Sequence, residues 1–241
     1  MDDSRLFSGK TKSGAPGRST NEDSAEFLLA RLGMIESQLR RRGITDKRVL
    51  DAMAAVPRHE FVPADLRSRS YEDAPLPIGE GQTISQPYIV AAMTAALHLS
   101  GSERVLEIGT GCGYQAAILS LLAKEVFTVE CRASLATSAA RRLARLGHVN
   151  VHVHCGDGTL GLPDLAPFDA ILVAAAAPSV PPPFQLQLSE GGRLILPVGD
   201  AEIQELQFIE RRGRVFHTQT LEGCRFVPLV GCHGWKDSPL R

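Results

Sequence analysis

The stretch VLEIGTGCGYQ, residues 105–115, decides the reading of this 241-residue chain. Four apolar-biased residues, Val105 to Ile108, run into a cluster of glycines, and a helix pattern opens at Tyr114. A short strand that meets glycines and then a helix is the sequence form of a ligand-binding turn. Gly109, Gly111 and Gly113 allow close backbone approach, and the first turn of the helix carries unpaired N–H groups. Dinucleotide sites use GxGxxG, with the third glycine where helix meets strand. Here that position is Tyr114, and the spacing is GxGxG with Glu107 just upstream. A carboxylate there repels a pyrophosphate and suits a cationic ligand bearing an amino acid. The turn therefore points to S-adenosylmethionine rather than NAD.

Outward from the turn, strand and helix alternate. Val126–Glu130 is a second short apolar run, and Ser134–Leu146 an amphipathic helix closed by Gly147. Val151–Cys155 alternates as a strand, and Ala170–Ala174 is a further one. A helix follows the prolines near residue 183, and Arg193–Val198, Glu205–Glu210 and Arg225–Val230 read as late strands, with a turn at Gly213. Such alternation predicts an α/β fold: a doubly wound, Rossmann-like sheet, mostly parallel with a late antiparallel strand. Glu130 ends the strand after the glycine turn, where an acid accepts hydrogen bonds from ribose hydroxyls. Asp157, before Gly158, ends the third strand, where it can reach an adenine amino group or simply close a tight turn.

Upstream, the pattern is helical. Leu28, Leu32, Ile35 and Leu39 are spaced as one helix face, and Gly43 closes the helix. A second helix is expected over Asp46–Val56, with Thr45 as its cap and Pro57 ending it. Residues 59–82 read as an irregular connector. Residues 1–25 have the composition of a disordered tail, which leaves residues 26–241 as a single domain with a helical extension over 26–82.

Composition bounds the function. Net charge is −1, which excludes a bulk electrostatic case for nucleic acid or membrane surfaces. No apolar run is long enough to span a bilayer, and the acidic start MDDSR is not a secretory signal. Five cysteines without a CxxC argue against a disulfide framework or a zinc site and for a reducing cytoplasm. His152 and His154 share one strand face, but no complementary ligand pair stands elsewhere, so no metal is expected. Arg141, Arg142 and Arg145 read as a solvated helix face.

VLEIGTGCGYQAA, VFTVE, GDG, PFDAILV, AAAAP and GGRLILPVG together resemble a class I S-adenosylmethionine-dependent methyltransferase. FVP at 61–63, PLPIGEGQTISQPY at 75–88 and RFVPLV at 225–230 narrow the resemblance to the protein-L-isoaspartate O-methyltransferase family, over roughly residues 30–232. Cys112 stands where that family often has serine. The resemblance implies methyl transfer to the free carboxylate of isoaspartyl residues in damaged proteins, beginning their repair through a succinimide. It places the active-site serine at Ser85 and the loop Thr83, Ile84, Ser85 beside the cofactor. Ser85 has two readings, cap of the helix that Pro87 begins and holder of the substrate carboxylate. Ala174–Ala177 lack the amide or acid that an amine acceptor needs, whereas a carboxylate acceptor is already ionised at pH 7. The partner is an isoaspartyl peptide or protein, and a monomer is expected. A small-molecule methyltransferase of the same fold and an inactive cofactor-binding platform are the other readings.

Overall fold

The computed structural model describes residues 25–200 and 202–236. All of the expected tail except Ala25, which opens the first helix, lies outside them. Helix α1 (Ala25–Met34) passes into a π turn at Ile35–Leu39 and a 3-10 turn at Arg40–Arg42, closed by Gly43. The expected apolar face holds only at its far end. Ile35 and Leu39 are buried, but Leu28 and Leu32 are 43% and 49% exposed, and Arg31 and Met34 turn inward instead. A π turn winds more residues per turn, so the face that meets the core rotates between Leu32 and Ile35.

Helix α2 (Lys47–Ala55) is capped by Asp46, not Thr45: the Asp46 carboxylate accepts from the Arg48 and Val49 amides. The expected irregular connector contains a hairpin, β1 (Leu76–Gly79) and β2 (Gln82–Ile84), joined through Glu80 and Gly81. Both turn residues have positive φ, 52° and 68°, which matches the right-handed twist of the two strands. Gly81 adopts this freely, while Glu80 is tied down by Ser134, whose hydroxyl donates to its carboxylate at 2.8 Å. Helix α3 (Pro87–Ala96) follows directly, with Gln86 as N-cap.

The central sheet is built from β3 (Arg104–Ile108), β4 (Glu125–Glu130), β5 (Val151–Cys155), β6 (Phe168–Val173), β7 (Leu188–Gly199), β8 (Gln204–Arg212) and β9 (Val215–Cys224). Its order is β5-β4-β3-β6-β7-β8-β9, parallel through β7 and antiparallel from β8 onward. The chain winds from β3 outward to β5 and then returns to lay β6 on the other side of β3. That reversal leaves a crevice at the carboxyl ends of β3 and its neighbours, where open α/β sheets hold ligands. Helices α4 (Tyr114–Ser120), α5 (Ala133–Arg145) and α6 (Pro182–Gln187) cover the faces. Alternate residues of β3 feed opposite cores: Val105 joins α2, α3 and α4, whereas Leu106 and Ile108 join Phe127, Phe168 and Phe184.

Two late elements differ from expectation. Strand β9 was not foreseen, because an exposed edge strand reading VFHTQTLEGC carries no apolar stripe. Conversely, Arg225–Val230 is not a strand. It forms isolated bridges, Pro228 to Ala176 and Val230 to Trp235, because Pro228 cannot donate to a ladder. The segment instead crosses the carboxyl end of the sheet, with the Ala176 amide donating to Val227 O and the Leu229 amide to Ala176 O, both at 2.8 Å. No helix among the described residues is long and apolar enough to cross a membrane.

Candidate active site

A cleft of about 740 Å³ lies over the glycine turn. Its floor is Ile108–Cys112 with Gly158, one wall is Gln82–Ser85, and its roof is Val227–Val230. Thr83, Ile84, Ser85, Gly109, Gly111, Glu130 and Gly158 therefore meet as the sequence reading requires. Glu107, Gly113 and Asp157 do not line it, and each has a different role.

Glu107 lies beneath the turn and is fully buried. The Thr128 hydroxyl donates to its Oε2 at 2.6 Å, and the Thr110 hydroxyl meets Thr128 at 2.6 Å. Its Oε1 has no partner. Burial pushes the carboxyl up to about 8, aided by the charge of Glu130 and opposed by Thr128. Gly113 is the left-handed cap of α4, at φ 90°, and a Cβ there would come within 3.1 Å of Leu143. Its role is to let α4 pack on α5.

Asp157 is not among the residues that line the cleft, although Gly158 beside it is. Its Oδ1 accepts from the Thr159 amide and hydroxyl at 2.9 and 2.6 Å, and its Oδ2 from the Cys232 amide at 2.8 Å. These bonds hold its carboxyl below the usual range, against the cost of partial burial. The acid read as an adenine contact thus also fastens the C-terminal segment that roofs the cleft. The carboxylate that does face the ligand space is Glu130, at the end of β4. Its Oε2 accepts from the Gly111 amide at 2.8 Å and its Oε1 from the Arg132 amide at 3.0 Å. The turn itself is less open than expected: the Gly109 and Thr110 amides both go to Val129 O.

Arg141 and Arg145 are exposed, as a solvated face requires, but Arg142 and Arg145 also make contacts. Arg142 donates to Cys112 O at 2.8 Å, and Arg145 pairs with Glu60 at 2.7 Å, so α5 holds both the glycine turn and the N-terminal extension. His152 stacks on Phe127 at 5.0 Å, which gives the histidine strand a packing role.

Ser85 is not the helix cap. Gln86 occupies that position, and no side chain caps the helix by hydrogen bond. Ser85 stands between two clefts. A second one, of about 770 Å³, opens on its other side, between α3 and the segment Glu222–Val227. Thr83, Ser85, Ala174 and Val227 line both. The roof residues Val227–Val230 and the wall residue Gln115 were not foreseen as ligand contacts. RFVPLV was legible as a motif, but its apolar character reads as a strand.

The family model for protein-L-isoaspartate(D-aspartate) O-methyltransferase matches residues 32–234. The chain belongs to this family. The protein-L-isoaspartate O-methyltransferase of Roseiflexus castenholzii is 58% identical over 87% of this chain and 96% of its own. The protein-L-isoaspartate O-methyltransferase 2 of Shewanella sediminis is 55% identical, over 90% of this chain and 88% of its own. A solved protein-L-isoaspartate O-methyltransferase is 31% identical, with TM-score 0.78, over 85% of this chain and 67% of that one. A Plasmodium falciparum structure described as a putative protein-L-isoaspartate O-methyltransferase, in complex with S-adenosyl-L-homocysteine, shares the fold at TM-score 0.74 and 24% identity, over 83% of this chain and 98% of that one.

Membership makes the chain a methyltransferase dependent on S-adenosylmethionine, and its residues fit that cofactor. The floor is backbone at Gly158, where a Cβ would strike Ile108 at 2.7 Å. Glu130 presents a carboxylate at the edge of the cleft.

Proposed function

We infer that this chain methylates the free carboxylate of isoaspartyl residues at the junction between the two clefts. The observation that carries this reading is the shared wall: Thr83, Ser85, Ala174 and Val227 each belong to both spaces. S-adenosylmethionine, when bound, supplies an electrophilic methyl carbon. Glu130 would accept from its ribose hydroxyls, the Gly109–Gly111 turn would hold its amino-acid end, and Val227–Val230 would cover it from solvent. The second cleft takes the peptide.

The chain's own residues need no general base, because the acceptor carboxylate is ionised at neutral pH. Their task is placement. The Ser85 hydroxyl donates to one acceptor oxygen and leaves the other free to attack. Ala174, a methyl group where an amine-methylating site would need an acceptor, gives the peptide backbone room. Val227 and Phe226 keep water from the reacting oxygen. Alignment of this kind is worth roughly 7–11 kcal/mol in favourable cases. The ester product then cyclises unaided: the next residue's amide nitrogen attacks the ester carbonyl, methoxide leaves, and hydrolysis of the succinimide returns some normal aspartate. The proposal takes the chain as a monomer that works in the cytoplasm.

The test is transfer of label from S-adenosylmethionine to matched peptides that differ only in aspartyl or isoaspartyl linkage. Base-labile label on the isoaspartyl peptide alone is expected. Equal labelling of both, or of neither, overturns the reading.

A further inference from the structure

The acceptor cleft carries a charged residue that no step above uses. In the hairpin of β8 and β9, Gln207 pairs with Thr220 but Glu205 pairs with Gly223, so Leu206 faces two residues, Leu221 and Glu222. Such a bulge re-aims a side chain that a regular strand would place elsewhere. Here Glu222 turns into the cleft that also holds Ser85.

Two neighbours register its charge. The Tyr88 hydroxyl is raised above the usual phenol range, first by burial and next by Glu222, against the opposing Arg42. The Cys224 thiol is pushed up to about 11, by burial and then by Glu222. The other charges of the cleft are differently placed. Arg42 is paired with Asp73 at 3.1 Å and lies 3.4 Å over the Tyr88 ring. Arg225 lines the same cleft as Glu222, and the two make no ion pair. Among the described residues no cation lies within ion-pair distance of Glu222, which is only partly exposed.

We propose that Glu222 is a specificity-determining residue that selects acceptor peptides carrying a basic side chain within about three residues of the isoaspartyl linkage. The proposal rests on the acceptor reading of this cleft. An acidic flanking residue meets like charge at Glu222, and a lysine or arginine completes the pair that the fold leaves open. Arg225, on the lining of the same cleft, is a cation that stays in place in every Glu222 variant.

The experiment uses the full chain and three isoaspartyl peptides that differ at one flanking position, Lys, Gln or Glu. In the wild type, kcat/KM for the Lys peptide is expected to exceed that for the Glu peptide by about threefold to tenfold, mostly through KM. The ratio should shrink toward one in high salt, as screening requires. In Glu222→Gln the ratio falls to one or below, because Arg225 remains, and in Glu222→Lys it inverts. Each ratio is taken within one variant, so a general loss of folding cancels. A wild-type ratio near one, with the Gln peptide methylated normally, overturns the role of Glu222 and leaves the acceptor reading standing. A ratio unchanged in Glu222→Gln does the same. Failure to methylate even the Gln peptide overturns the acceptor reading and this inference with it.

Discussion

The Cys232 amide donates to the Asp157 carboxylate at 2.8 Å, across 75 residues of sequence. That bond ties the segment that roofs the cofactor cleft to the turn after β5. Asp157→Ala removes the acceptor for Cys232 and for Thr159 together. The expected cost is about 1–3 kcal/mol of stability, from the donors left unpaired. The more telling effect is local: amides of residues 227–235 should exchange faster, and S-adenosyl-L-homocysteine should bind more weakly by calorimetry. Unchanged exchange in that segment would show that the Asp157 bond is not what holds the roof.

Ser85→Ala separates stability from turnover. Because Gln86 occupies the cap position, stability should stay within the small range typical of neutral substitutions, about ±0.5 kcal/mol, with little change in melting temperature. Turnover of an isoaspartyl peptide should fall by roughly tenfold to a hundredfold, the worth of one positioning hydrogen bond. Cofactor affinity should change far less. A drop in melting temperature with unaltered kcat would make the serine structural.

Glu107 gives the free protein a pH dependence of definite sign. Its folded carboxyl titrates near 8, above the ordinary value of 4.5. Between those values the unfolded chain has lost the proton and the folded one keeps it. Stability from this group is full below the ordinary value and is lost as pH rises toward 8, at up to about 1.4 kcal/mol per pH unit. Denaturant titrations at pH 5, 6, 7 and 8 should show the decline, and Glu107→Gln should flatten it. Parallel curves for the two proteins would mean that Glu107 is ionised throughout.

Much of the architecture was legible because it is local. The strand–turn–helix at residues 105–115, the runs ending at Glu130 and Cys155, and the prolines before α6 depend on residue types within a few positions. Strand β9 was not legible, since an edge strand with both faces wet has no apolar period to detect. The hairpin at Glu80–Gly81 was hidden because one of its two positive-φ residues is a glutamate, held by Ser134 from another element.

The same division governs the site. From sequence alone came the glycine turn and the set of acids and loop residues around it, but the ionised Glu107 that argued for a cationic ligand over a dinucleotide is instead a buried carboxyl that holds its proton. The tertiary structure decided which donors each carboxylate meets and how deeply it is buried. Glu107, Glu130 and Asp157 all stand at or near strand ends, and nothing in their spacing separates them. They differ in their partners: a buried threonine pair under Glu107, the Gly111 amide on Glu130, and a distant Cys232 amide on Asp157. A carboxylate's protonation and direction follow from burial and from donors brought in from elsewhere in the chain. Those are properties of packing, which local periodicity does not encode.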